Sequence, residues 1–199
     1  MTERVVVTGA AGFIGSHVCR YLLAKRCIVT GIDNFDPFYD RTIKERRLVP
    51  LLDDGRFSFV ESDIRAVEML RRTLRGADAV VHLAARPGVR PSFELPRLYL
   101  DVNVGGTVAL LEVAASVGVK RIVFSSSSSV YGEVAEFPLV ESSTDLRPIS
   151  PYAVSKRAAE LMCQVLAGRL GVTVAVLRLF TVFGPGQRPD QAVSRFTAI

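Results

Sequence analysis

Val5-Val6-Val7-Thr8-Gly9-Ala10-Ala11-Gly12-Phe13-Ile14-Gly15 is the stretch on which the reading of this chain turns. Three β-branched residues form a short buried strand. A turn punctuated by Gly9, Gly12 and Gly15 follows, and then an amphipathic segment carrying Ile14, Val18, Tyr21 and Leu22. The stretch is therefore a strand, a tight turn and a helix N-terminus. Glycine suits such a turn because a backbone that bends sharply and then touches a phosphate leaves no room for a Cβ. The first helical turn adds unpaired N–H groups and the positive end of the helix dipole, which together attract an anion.

A second strand, Ile28-Val29-Thr30-Gly31-Ile32, ends in Asp33. That acid lies about 20 residues beyond the loop, where dinucleotide-binding folds place the carboxylate that accepts from the adenosine ribose hydroxyls. A carboxylate there repels the additional phosphate of NADP, so Asp33 predicts NAD. Further strands are expected over 57–60, 79–83, 121–124 and 172–179. Helices are expected over 41–52, 65–74, 98–117, 151–170 and, at the end, 191–199. Prolines 87, 91 and 96 mark a long loop after the fourth strand. Ser150-Pro151 supplies an N-cap and a first-turn proline, and Gly171 closes that helix. Strands alternating with helices, without internal repeats, predict an α/β fold: a doubly wound, Rossmann-like parallel sheet of order 3-2-1-4-5-6. Ligands on such a sheet bind at the carboxyl ends of the strands. The candidate site therefore lies in loops 8–15, 33–40, 84–96, 125–131 and 181–188.

A chain of 199 residues, 49% apolar, is one domain's worth of polypeptide with a sizeable core. No uninterrupted apolar run approaches the roughly 20 residues of a membrane span. The N-terminal residues already read as folded domain rather than as a leader. Cys19, Cys27 and Cys163, with His17 and His82, show no metal-ligand spacing and suit a reduced, cytoplasmic setting. The net charge of +5 comes from scattered arginines with doublets such as Arg46-Arg47 and Arg71-Arg72. Without a basic block or aromatic interleaving, this argues against nucleic acid as a partner. A small anionic substrate suits the balance better.

Tyr152-Ala153-Val154-Ser155-Lys156 lies early in the capped helix, so Tyr152 and Lys156 share a face one turn apart. A phenol of pKa near 10 is a poor base at neutral pH. A neighbouring ammonium and a positive nicotinamide are expected to stabilise the phenolate. The same spacing also describes an aromatic packed under a lysine stem. The serine run 125–129, at the end of the fifth strand, places hydroxyls at the same crevice and favours the catalytic alternative.

These motifs resemble the extended short-chain dehydrogenase/reductase family, in particular its nucleotide-sugar epimerases and dehydratases. The residues that carry the resemblance are Thr8 to Gly15, Asp33-Asn34, Asp63-Ile64, His82-Leu83-Ala84-Ala85, Ser127 with Val130-Tyr131-Gly132, Tyr152 with Lys156, and Arg178 to Pro185. Within the family, Asp33-Asn34-Phe35 with Tyr39-Asp40, Gly88-Val89-Arg90 and Gly186-Gln187-Arg188-Pro189-Asp190 are most like the UDP-glucuronate 4-epimerases. The resemblance implies NAD held by Gly9, Gly12, Phe13, Ile14, Gly15, Asp33, Asn34, Asp63, Ile64, Leu83, Ala84, Ala85, Asn103, Tyr152 and Lys156. It implies Ser127, Tyr152 and Lys156 as catalytic residues, and Arg90, Ser128, Ser129, Thr181 and Arg188 toward the nucleotide sugar. It also implies a homodimer through helices 98–117 and 151–170.

The expected activity is epimerisation at C4 of a UDP-hexose such as UDP-glucuronate, through a transient 4-keto sugar. Tyr152 exchanges the proton, Ser127 positions the oxygen and Lys156 sets the phenol pKa. Related dehydratases carry Asp-Glu after the catalytic hydroxyl, and the decarboxylating relatives a Glu at position 129; here Ser128 and Ser129 stand instead. A 4-reductase remains an alternative. Residues 1–180 are assigned to the NAD-binding domain and 181–199 to the start of an incomplete substrate region. That truncation keeps a second alternative open, a catalytically inactive NAD-binding protein.

Overall fold

Val5 and Val7 point to one side of the first strand and Val6 to the other, and that alternation fixes two cores. In the computed structural model, which describes residues 2–133, 137–191, 194 and 196, Val5 and Val7 pack with Val29, Cys19, Leu23, Leu48, Leu51 and Phe57. Val6 packs on the opposite face with Val80, Ile122, Leu110, Leu111, Ala159 and Cys163. Each such fully buried aliphatic side chain contributes about 1.5–3 kcal/mol. A strand buried on both faces is the mark of a parallel sheet covered by helices on each side.

The strands are β1 (Arg4–Thr8), β2 (Ile28–Asp33), β3 (Phe57–Glu61), β4 (Ala79–His82), β5 (Arg121–Ser127) and β6 (Thr173–Leu179). They pair in parallel in the order β3-β2-β1-β4-β5-β6, as the alternation of strands and helices predicts. The helices are α1 (Phe13–Ala24), α2 (Arg41–Leu52), α3 (Val67–Leu74), α4 (Val89–Glu94), α5 (Pro96–Tyr99), α6 (Gly106–Ser116) and α7 (Pro151–Leu170). Between β1 and β4 the chain changes direction across the sheet. The loops after those two strands therefore diverge and leave a crevice at the carboxyl edge.

Three elements differ from expectation. Strand β5 runs on through Ser125, Ser126 and Ser127, because Leu177, Arg178 and Leu179 of β6 pair with them and override the low strand preference of serine. The helix read as 98–117 starts at Pro96, and residues Leu100–Gly105 form a π-helical stretch joining α5 to α6. This helix, Pro96–Ser116, has a mean hydropathy of 1.3 and is long and apolar enough to span a membrane by composition, although no uninterrupted apolar run exists. Its inner face instead packs on α3 and α7. The proline-marked loop after β4 contains the short helix α4. The expected helix 191–199 falls largely outside the described residues.

His82 closes β4 in the centre of the sheet. Its Nδ1 lies 2.7 Å from Thr8 Oγ1 and its Nε2 3.0 Å from Thr107 Oγ1. Thr107 donates to the Asn103 carbonyl at 2.6 Å, so satisfying every group makes Nε2 the donor and Nδ1 the acceptor from Thr8. Burial, helped by the Lys156 charge, pushes the imidazole down to about 3. Below pH 6.5 an unfolded chain takes up a proton that the folded chain refuses, so stability falls as pH drops from about 6.5 toward 3. The difference in Tm between the unmodified chain and His82→Gln is expected to narrow as pH falls through that window. A constant difference would show that His82 is not the group responsible.

Candidate active site

The glycine loop follows β1 directly. Gly9 has φ of +72°, and the Gly9 and Ala10 N–H groups donate to the Ile32 carbonyl at 2.7 and 3.1 Å. A Cβ on Gly15 would lie 2.0 Å from the Gly9 oxygen, and one on Gly9 2.9 Å from the Ala84 nitrogen. The loop is thus pressed between its own helix and the loop after β4. Gly12 caps α1 without a side-chain hydrogen bond. The free N–H groups of the first turn, on Phe13, Ile14 and Gly15, stand at the wall of a cavity of about 510 Å³.

Asp33, at the end of β2, is buried, and its carboxylate accepts from Ala11 N–H at 3.2 Å and Phe35 N–H at 2.9 Å. Lys44 of α2, also buried, holds its ammonium 3.5 Å from the same carboxylate. Asn34 donates to Asp63 at 3.0 Å, and Arg65 clasps Asp63 at 2.8 Å. The Arg65 hydrogen bonds outweigh partial burial and hold the Asp63 carboxyl down to about 2. Ile64 packs under Gly106, where a Cβ would come within 2.5 Å of it. Asp33, Asn34, Asp63, Ile64, Leu83, Ala84 and Ala85 all line the cavity.

Helix α7 brings in the tyrosine. Ser150 caps it by accepting from Ala153 N–H at 3.1 Å, and Gly171 ends it at φ of +64°. Glu160, two turns beyond Tyr152, is bound by Arg178 of β6 at 3.0 and 3.1 Å and by Arg157 at 2.9 Å. The buried carboxylate therefore locks the helix onto the sheet. Burial works against its charge, but the hydrogen bonds from Arg178 and Arg157 keep Glu160 below the usual range.

Tyr152 stands half-buried in the cavity wall, edge-on to Tyr99 with ring centroids 6.2 Å apart. Burial pushes its phenol above the ordinary value, while a hydrogen bond with Ser127 and the charge of Arg188 pull it back. Lys156, expected to set the phenol pKa, lines the same cavity. The Lys156 ammonium turns toward β5, donates to the Ser125 carbonyl at 2.6 Å and lies 5.0 Å from the Phe124 ring centroid. Burial lowers it to about 8. One-turn spacing puts both residues at the cavity, where a carbonyl of the strand beneath holds the ammonium.

Ser128, Ser129, Thr181 and Arg188 line the same cavity, and Ser127 donates to Ser129 Oγ at 3.1 Å. Two expected residues lie elsewhere. Arg90 is exposed on α4, away from the cavity lining, because the turn of that short helix faces it to solvent. Asn103 is buried in the π-helical stretch rather than at the cavity wall. There it accepts from Arg86 N–H at 2.7 Å and donates to the Arg86 carbonyl at 3.1 Å and to Ser155 Oγ at 2.9 Å. The site also holds residues the sequence reading passed over. Arg86 pairs with Asp36, and Phe38 has the Arg86 and Arg188 guanidiniums 5.3 and 5.4 Å from its ring centroid. Only their position in loops at the carboxyl edge signalled them.

The chain is 42% identical over 193 residues to a UDP-glucuronate 4-epimerase of Thermodesulfobacterium geofontis, covering 96% of this chain and 59% of that protein. The crystal structure of UDP-glucuronic acid 4-epimerase from Bacillus cereus, in complex with UDP-glucuronic acid and NAD, superposes with a TM-score of 0.88 at 40% identity. That match covers 97% of this chain and 61% of the other. A dTDP-glucose 4,6-dehydratase from Streptomyces venezuelae, solved with NAD, gives a TM-score of 0.90 at 37% identity over 98% of this chain and 61% of its own. The chain thus spans about three fifths of the length of these proteins. The family model described as NAD dependent epimerase/dehydratase matches residues 5–199, nearly the whole sequence. Glycine loop, acid-tipped second strand, and a tyrosine and lysine one helical turn apart at one cavity agree with that match, and the chain belongs to the NAD dependent epimerase/dehydratase family.

Proposed function

We propose that this chain binds NAD and carries the chemistry of a nucleotide-sugar 4-epimerase acting on UDP-glucuronate. The residues present fit the cofactor. A cradle with no room for a Cβ at Gly9 or Gly15, and the uncapped first turn of α1, suit a pyrophosphate. Asp33 keeps lone pairs for ribose hydroxyls, and its charge favours NAD over NADP. When bound, NAD supplies a reversible acceptor for the C4 hydrogen and a positive charge near the phenol.

The chain's own residues do the rest. Tyr152, as phenolate, takes the proton of the sugar 4-hydroxyl and later returns it to the other face's alcohol. Ser127, whose hydroxyl pulls that phenol back toward its ordinary value and lines the same cavity, holds the reacting oxygen. Arg188, held by the Asp190 carboxylate at 3.0 and 2.9 Å and reaching Tyr152 with its charge, lies at the cavity as a partner for an anionic group of the substrate. The single observation that carries the reading is the company of Tyr152. Ser127, Ser128 and Ser129 line the same cavity, and neither Ser128 nor Ser129 can serve as the acid or base that removal of water requires. A homodimer is part of the proposal. Val154, Leu161 and Val165 of α7 and Leu100 beside it are exposed apolar side chains that support such a contact.

Incubating the chain with NAD and UDP-glucuronate, and separating the nucleotide sugars by chromatography, tests the reading. The expected product is the C4 epimer, of unchanged mass, with no net gain in NADH absorbance. Stoichiometric NADH, a product lighter by one water, or no epimer from NAD-loaded chain would each overturn it.

A further inference from the structure

We propose that Arg86 and Asp36 form a clasp across the dinucleotide crevice that slows release of the cofactor. The inference rests on the reading of the cavity as an NAD site. Its geometric basis is the strand order. β1 lies between β2 and β4, so a bond from the loop after β2 to the loop after β4 passes over the glycine loop of β1. The Arg86–Asp36 ion pair is such a bond, joining positions 50 residues apart in sequence.

Both jaws are anchored. Asp36 N–H donates to Asn34 Oδ1 at 3.0 Å, the Asp36 carbonyl accepts from Lys44 at 3.1 Å, and its carboxylate also accepts from Phe38 N–H at 3.0 Å. Arg86 is held through its backbone by Asn103 of the π-helical stretch, on both the N–H and the carbonyl. The Arg86 and Arg188 guanidiniums lie 5.3 and 5.4 Å from the Phe38 ring centroid, so a third loop leans on the same closure. The side chains of Arg86 and Asp36 are 14% and 29% exposed, so the pair is partly withdrawn from solvent while still within reach of dissolved ions. An isomerase that borrows and returns one hydrogen has no chemical need to exchange its cofactor. A closed crevice matches that economy.

The test is release of radiolabelled NAD from the loaded 199-residue chain into excess unlabelled NAD, followed by rapid filtration. Arg86→Gln and Asp36→Asn are each expected to speed release about 10-fold, with association changed less. The reversed pair, Arg86→Asp with Asp36→Arg, is expected to restore slow release. Raising salt from about 50 to about 500 mM is expected to hasten release from the unmodified chain and to leave Arg86→Gln nearly unaffected, since the Debye length shrinks several-fold over that range. Unchanged release in both single variants, or an equal salt slope in Arg86→Gln, overturns the clasp while leaving the NAD site intact. An unmodified chain that binds no NAD overturns both.

Discussion

Tyr152→Phe is expected to slow epimerisation of UDP-glucuronate by about 10²–10⁴-fold, the usual worth of a positioned general acid–base group. The loss should fall on kcat, because the ring remains and only the hydroxyl goes. The edge-on contact with Tyr99 and the seat of the helix do not involve that oxygen. NAD should bind the variant as it binds the unmodified chain, and Tm should change little. Removing the Ser127 hydroxyl should cost less, since it positions the reacting oxygen rather than exchanging its proton. Steady-state assays beside a cofactor titration separate these effects. Full turnover in the Tyr152→Phe variant would take the proton transfer away from this residue.

Gly15→Ala is expected to abolish useful cofactor binding and to lower stability. The new Cβ would sit 2.0 Å from the Gly9 oxygen, 2.8 Å from the Gly9 carbonyl carbon and 3.0 Å from Ala10 Cα. All three are backbone atoms, so no side chain can swing aside. Helix α1 must back away from the loop, and overpacking of this kind costs about 1–3 kcal/mol. For a chain of this size that lowers Tm by about 5 °C. The displaced N–H groups then miss the pyrophosphate. Losing one or two charge-assisted hydrogen bonds weakens NAD by about 10²–10³-fold. Calorimetric titration beside a melting curve reads both losses. Tight NAD binding by the alanine variant would show that the loop does not cradle a phosphate.

The sheet order was legible because it follows from alternation: each buried strand is followed by a helix, and right-handed crossovers leave few arrangements. The glycine loop and Asp33 were legible because backbone sterics and charge act locally. Tyr152 lines the cavity because a capped helix start sets its direction. What lay beyond reach depended on partners distant in sequence. Lys156 answers to a carbonyl on β5, and the serines of 125–127 become strand only because β6 lies beside them. Arg86 and Asp36 carry no local motif at all, and their meeting needs the folded sheet. Asn103 was expected at the cofactor, yet the wide turn around it points its amide inward instead.

That wide turn sets two physical demands against each other. A π-helical turn holds one residue more than the α-helical turn it replaces, and each residue advances a helix by about 100°. A sequence one residue shorter between 100 and 105 would make a smoother helix. It would also take the Asn103 amide off both Arg86 and Ser155, while leaving α6 in phase with the faces that pack on α3. Helical regularity and the interior amide are thus competing demands on the same few positions.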